Sequence, residues 1–114
     1  MYVQKGKTMY AQVTNLSVPI GQIEALRDLV QNKYLAAVQK RDGFIRAYLM
    51  EAIDDEQVAQ LITYWDSQQA IEEARKTGSL QETVQVLASH MPGVKIQRQG
   101  YIVTVDTKSE NVSV

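Results

Sequence analysis

The chain has 114 residues, 12 basic and 13 acidic side chains, a net charge of −1 and no cysteine. This balance excludes the basic field of a nucleic-acid binder, and the missing cysteines exclude a disulfide framework and thiol chemistry. The length predicts one domain over residues 1–114, able to bury roughly two thirds of its unfolded surface.

Residues 1–7 form a polar, lysine-bearing lead-in. They lack the apolar core of a signal peptide, and no apolar run is long enough to cross a bilayer. The expectation is a soluble cytoplasmic domain that binds neither nucleic acid nor membrane. Thr8 to Val18 reads as a first strand with apolar residues on both faces, closed by Pro19. A long helix is expected from Ile20 to Lys40. Ile23, Leu26, Val30, Tyr34, Ala37 and Val38 share one stripe, and Asp42-Gly43 ends it.

Gly43 to Arg75 is the most informative stretch. Phe44 to Ile53 and Gln57 to Asp66 read as strands around the acidic turn Asp54-Asp55-Glu56. Alternation places Phe44, Arg46, Tyr48 and Met50 on one face and Ile45, Ala47, Leu49 and Ile53 on the other. In the second strand Val58, Gln60, Ile62 and Tyr64 oppose Ala59, Leu61, Thr63 and Trp65. Neither face is clearly polar, so both call for a cover. Helices of the same chain cover one face, and a second copy of the chain is the simplest cover for the other.

A short helix follows, capped by Asp66 or Ser67 and ending at the basic run before Gly78. A third helix is expected from the capping-box spacing of Ser79 and Glu82, with Leu80, Val84, Leu87 and Met91 on its stripe. A last strand from Val94 to Val105 and a polar tail from Asp106 complete the chain. Strand, helix, strand, strand, helices, strand is the split β-α-β order of α+β, ferredoxin-like folds with a four-stranded antiparallel sheet.

With Trp65 at the strand end, the chain resembles the antibiotic biosynthesis monooxygenase family of dimeric α+β barrels. Four segments carry the resemblance over about residues 8 to 105. They are Pro19-Ile20-Gly21, Asp42-Gly43-Phe44-Ile45, Tyr64-Trp65-Asp66-Ser67-Gln68-Gln69-Ala70 and Met91-Pro92-Gly93. The resemblance implies a homodimer whose sheets pack face to face, and a pocket between sheet and helices. It implies a cofactor-independent monooxygenase acting on a small aromatic or quinol-like substrate, without metal or flavin. In such members a substrate carbanion reacts directly with oxygen. Haem degradation is a second chemistry found in the family, and a non-catalytic dimeric barrel that binds a small ligand or serves as an interaction module is the alternative from another class. The sequence departs from anthrone-type members at Leu61, Ile71 and Gln85, where those carry asparagine, tyrosine and arginine.

The candidate catalytic residues are Trp65, Asn15 and His90, with Leu61, Thr63 and Tyr34 as substrate contacts. Each has a structural reading beside the functional one. Trp65 is a core anchor or a pocket wall with a directed N–H. Asn15 is a turn residue or an oxyanion donor. His90 is a base or haem ligand, or a helix-end residue answering the helix dipole. Arg46 is an anion anchor or a polar partner within the dimer barrel.

Overall fold

The computed structural model describes residues 8–76 and 85–110. The strands are β1 (Tyr10–Ser17), β2 (Phe44–Glu51), β3 (Val58–Trp65) and β4 (Lys95–Ile102). They form one antiparallel sheet in the order β2-β3-β1-β4, the expected ferredoxin-like topology. The expected capping box at Ser79 and Glu82, and the start of the third helix, lie outside the described residues. Residues 85–90 are helical. Among the described residues no helix is long and apolar enough to cross a membrane.

The first helical segment is shorter than the sequence pattern suggests. It begins at Ile23, leaving Ile20 exposed. It runs as α1 (Ile23–Leu29), a π-helical stretch (Val30–Tyr34) and α2 (Leu35–Val38). The π stretch has a geometric reason. Leu26, Val30, Tyr34 and Val38 are all buried at strict steps of four. On a helix of 3.6 residues per turn such a row drifts about 40° per step. A wider i→i+5 turn swings it back, so Tyr34 and Val38 stay over the sheet.

One face of the sheet lies under the helices. Leu16, Ala59, Leu61 and Trp65 pack there with Leu26, Val30, Tyr34, Val38, Ile71, Ala74, Leu87 and Met91. Phe44 joins them, meeting Trp65 edge to face at 5.4 Å. This corrects the strict alternation expected for β2. A β-bulge between Phe44 and Arg46 shifts the register, so Phe44, Ala47 and Leu49 share the helix face and Ile45 is exposed. The bulge absorbs one residue, after which Arg46, Tyr48 and Met50 point to the opposite, outer face. Arg27 on α1 grips Glu51 of β2 in a two-point ion pair of 2.7 and 2.9 Å, tying that edge strand to the helix.

Among the described residues no element covers the outer face. Tyr48, Met50, Val58 and Tyr101 are each more than 40% exposed on it. Arg46 donates to the Tyr48 hydroxyl at 2.9 Å and lies 5.5 Å from the centre of that ring.

β4 also departs from expectation. It is an edge strand with a mostly exposed, polar sequence, and Ile96 is its one half-buried residue. The acidic turn is exposed as expected, and the Asp55 carboxylate accepts the Gln57 backbone N–H at 2.9 Å.

Gly43 sets the approach of β2 to α3 (Gln68–Lys76). Its φ of +85° is left-handed, and a Cβ there would stand 2.6 Å from the Ala70 Cβ and 2.7 Å from Asp66 Oδ1. The Ser67 hydroxyl caps the same helix, accepting the Ala70 N–H at 3.0 Å. Gly21 has the same φ with open space around it. Gly43→Ala is therefore expected to cost on the order of 3 kcal/mol, combining backbone strain with a clash against packed atoms. Gly21→Ala should cost only about 1 kcal/mol. Urea denaturation of the two variants checks the contrast.

Candidate active site

The middle of the helix face is polar. Four cross-strand rows run from β2 to β4 beneath the helices. Phe44, Trp65, Tyr10 and Ile102 form the first. Ala47, Thr63, Gln12 and Gly100 form the second. Leu49, Leu61, Thr14 and Arg98 form the third. Glu51, Ala59, Leu16 and Ile96 form the last. Thr63 and Gln12 are 1% and 3% exposed, although an apolar pair would suffice for packing.

Each of these two buried side chains has a defined partner. Trp65 Nε1 donates to Thr63 Oγ1 at 2.9 Å. That hydroxyl, having accepted, keeps its own proton to give. The Tyr34 phenol, brought over the sheet by the π-helical stretch, lies within its influence. Burial pushes Tyr34 up to about 12, opposed by the Thr63 hydroxyl and the Arg98 charge. At neutral pH Tyr34 is thus a neutral hydrogen-bond donor rather than a base. On the other side of the row, Arg75 Nε of α3 donates to Gln12 Oε1 at 2.8 Å.

The polar row opens toward β4. A cleft of about 580 Å³ lies between α3 and the β1–β4 pair. Tyr10, Ile71 and Ile102 supply its apolar walls, and Arg75 and Arg98 its positive charge. Gly100 leaves room above the strand, for a Cβ there would meet Arg75 Nη2 at 3.8 Å. Gln12 therefore fixes the inner edge of the Arg75 guanidinium while the cleft receives its outer nitrogens.

The six residues singled out from sequence do not all meet. Tyr34, Leu61, Thr63 and Trp65 converge in the buried core on the helix face. Trp65 is 1% exposed, which makes it an anchor that orients Thr63. Asn15 points to the outer face, where its Oδ1 accepts from Gln60 at 2.9 Å. It pairs with no turn, and β1 runs on past it to Ser17. His90 is exposed, with Nδ1 turned 3.0 Å from the Val86 carbonyl of its own helix. Asn15 and Trp65 thus lie on opposite faces of the sheet, and the set proposed to surround a haem does not fit one. Among the described residues no three histidine, aspartate or glutamate side chains gather to hold a metal ion.

Gln12, Arg75 and Arg98 escaped the sequence reading. Arg75 reads there as an ordinary helix C-terminal charge, and Arg98 as one polar residue in a strand. The detectable signal was Gln12 beside Thr14 on the face of β1 that also carries Tyr10 and Leu16.

The family model described as "antibiotic biosynthesis monooxygenase" matches residues 9–86. No curated protein matches the chain. Among solved structures, a Nitrosomonas europaea protein named for the same monooxygenases is 18% identical. The alignment covers 90% of this chain and 93% of that one, with a TM-score of 0.69. SnoaB, a cofactor-independent oxygenase from Streptomyces nogalater, is 14% identical, with 91% and 99% covered and a TM-score of 0.70. At these identities the likeness is one of fold.

The Tyr34 environment has a measurable consequence. Below its ordinary pKa of 10.0 the phenol is neutral in both the folded and unfolded chain. Between pH 10 and 12 the unfolded chain ionises first. Stability that is full below pH 10 is therefore lost as pH rises toward the folded value, by about 2–3 kcal/mol. Tyr34→Phe should cost about 1 kcal/mol at neutral pH and lack this component of the alkaline decline. Denaturant titrations at pH 8 and pH 11.5 on both proteins give the comparison.

Proposed function

We propose that this chain, which belongs to the antibiotic biosynthesis monooxygenase family, is a cofactor-independent monooxygenase of small aromatic or quinol-like substrates. The reaction is placed in the cleft between α3 and the sheet. Support comes from the Arg75 guanidinium, held by buried Gln12 and aimed at a space with apolar walls.

The chemistry needs an acidic carbon next to a ring oxygen. Loss of its proton to water gives a carbanion whose charge is shared with that oxygen as an enolate. Arg75 stabilises the developing anion as a donor fixed before the reaction, so no reorganisation is required. The carbanion passes one electron to O₂, and the resulting radical pair joins to form a carbon–peroxide bond. The peroxide takes up a proton. Loss of water from it leaves a carbonyl, so CH₂ and O₂ become C=O and H₂O. The substrate supplies all the electrons. Apolar walls keep water away from the charged intermediate and raise the weight of the arginine field. Neutral Tyr34, backed by Thr63 and Trp65, sets the polarity behind Arg98.

The same reading assigns the outer sheet face to a homodimer. Its exposed Tyr48, Met50, Val58 and Tyr101 call for a cover that the described residues do not supply. Tyr48→Glu would bury a charge in that interface and should yield monomers in light scattering.

One observation favours a non-catalytic ligand-binding dimer. Leu61 and Ile71, where anthrone-type relatives carry asparagine and tyrosine, are both buried apolar core. Oxygen uptake decides between the readings. With 1,4-dihydroxynaphthalene, catalysis should exceed autoxidation. Arg75→Gln should lower kcat/KM on the order of 10- to 100-fold, within the range of losing one preorganised donor in a partly open site. Uptake no faster than autoxidation across a panel of quinols and anthrones would leave the binding module.

A further inference from the structure

The cleft holds more positive charge than the proposed oxygenation uses. Positions 98 and 100 lie on the same face of β4, two residues and so about 6.6 Å apart. The Arg75 guanidinium lies over Gly100, and Arg98 extends from the neighbouring position into the same cleft. Among the described residues neither arginine has a carboxylate partner. The carboxylate of the lining, Glu72, accepts a hydrogen bond from Gln68 at 3.2 Å. Arg75 is positioned by Gln12, whereas among the described residues Arg98 makes no side-chain hydrogen bond, leaving its fork of donors to a ligand.

Two cations side by side repel each other, and Arg98 on its edge strand could have been turned away from Arg75. Keeping both in one apolar-walled cleft makes sense if a ligand brings negative charge there. We propose that the cleft selects an aromatic carboxylate, with the carboxylate on Arg98, the rings against Tyr10, Ile71 and Ile102, and the oxidisable ring oxygen toward Arg75. The fork of a guanidinium matches a carboxylate through two parallel hydrogen bonds. With Arg75 reserved for the ring oxygen, one guanidinium remains for one monoanion, whereas a dianionic phosphate would call on both. The placement of the ring oxygen and the preference over phosphate rest on the oxygenase reading; the preference for an anionic over a neutral ligand does not.

The test uses calorimetric titration of the whole protein with 1-naphthol, 1-hydroxy-2-naphthoate and 1-naphthyl phosphate at neutral pH. The naphthoate should bind about tenfold more tightly than the naphthol, with the advantage shrinking as salt is added. Arg98→Gln, on an exposed edge strand, should bring the two within about twofold, with the loss falling mainly on the naphthoate. Lys76→Gln, which removes the same charge from the same end of the molecule outside the cleft, should preserve the preference. Equal affinities in the natural chain, a preference that survives in Arg98→Gln, or tighter binding of the phosphate would each overturn the proposal. Oxygen uptake with 1,4-dihydroxynaphthalene separates the two ideas. Turnover without carboxylate preference sinks this inference alone. Carboxylate-selective binding without any turnover sinks the oxygenase reading and leaves the anion site standing.

Discussion

A polar side chain buried beneath a helix must be given a partner, or the fold loses the free energy of desolvating it. Thr63 and Gln12 impose that requirement at the centre of this sheet. Trp65 answers for Thr63 and Arg75 for Gln12. One answer comes from a core residue and the other from a helix whose buried face packs the core. Trp65 is locked against Phe44, and Arg75 follows Ile71 and Ala74 on the helix that closes the sheet. The polar row and the hydrophobic core are thus one construction. Loosening either would disturb the guanidinium that faces the cleft.

Two local irregularities make this construction possible. The π-helical stretch keeps a four-residue stripe over the sheet and delivers Tyr34 to the neighbourhood of Thr63. The bulge in β2 turns Phe44 inward while sending Arg46, Tyr48 and Met50 outward. One chain therefore has an inner face closed by its own helices and an outer face that remains aromatic and exposed. The split separates two tasks. Ligand chemistry belongs to the side between helix and sheet, and self-association to the other. Gly43 joins them, because its left-handed backbone lets the turn before β2 sit against the first turn of α3.

Much of the architecture was legible in the residues. Alternating apolar strands around Asp54-Asp55-Glu56, the stripe from Ile23 to Val38 and the glycines at 43 and 93 mark the elements and their order. The buried fate of Tyr34, Leu61, Thr63 and Trp65 also follows from pattern, since all four sit on apolar stripes. The placing of Asn15 and His90 did not follow. Asn15 belongs to a strand in which both faces look apolar, so alternation could not say which face met the helices. His90 depends on the rotation of a helix whose anchoring residues, Leu87 and Met91, point the other way from it.

Sequence alone determined the strand-helix order and two largely apolar sheet faces, because these depend on local periodicity and short-range turn chemistry, while the family was legible as a resemblance carried by four short segments. Tertiary structure decided the site. Gln12 and Arg75 are 63 residues apart in the chain, and only the β1–β3 register together with the seating of α3 brings their polar atoms to 2.8 Å. Register and helix placement arise from packing the whole core at once. No window of sequence contains that information, and an arginine that ends a helix looks the same whether it meets solvent or a buried glutamine.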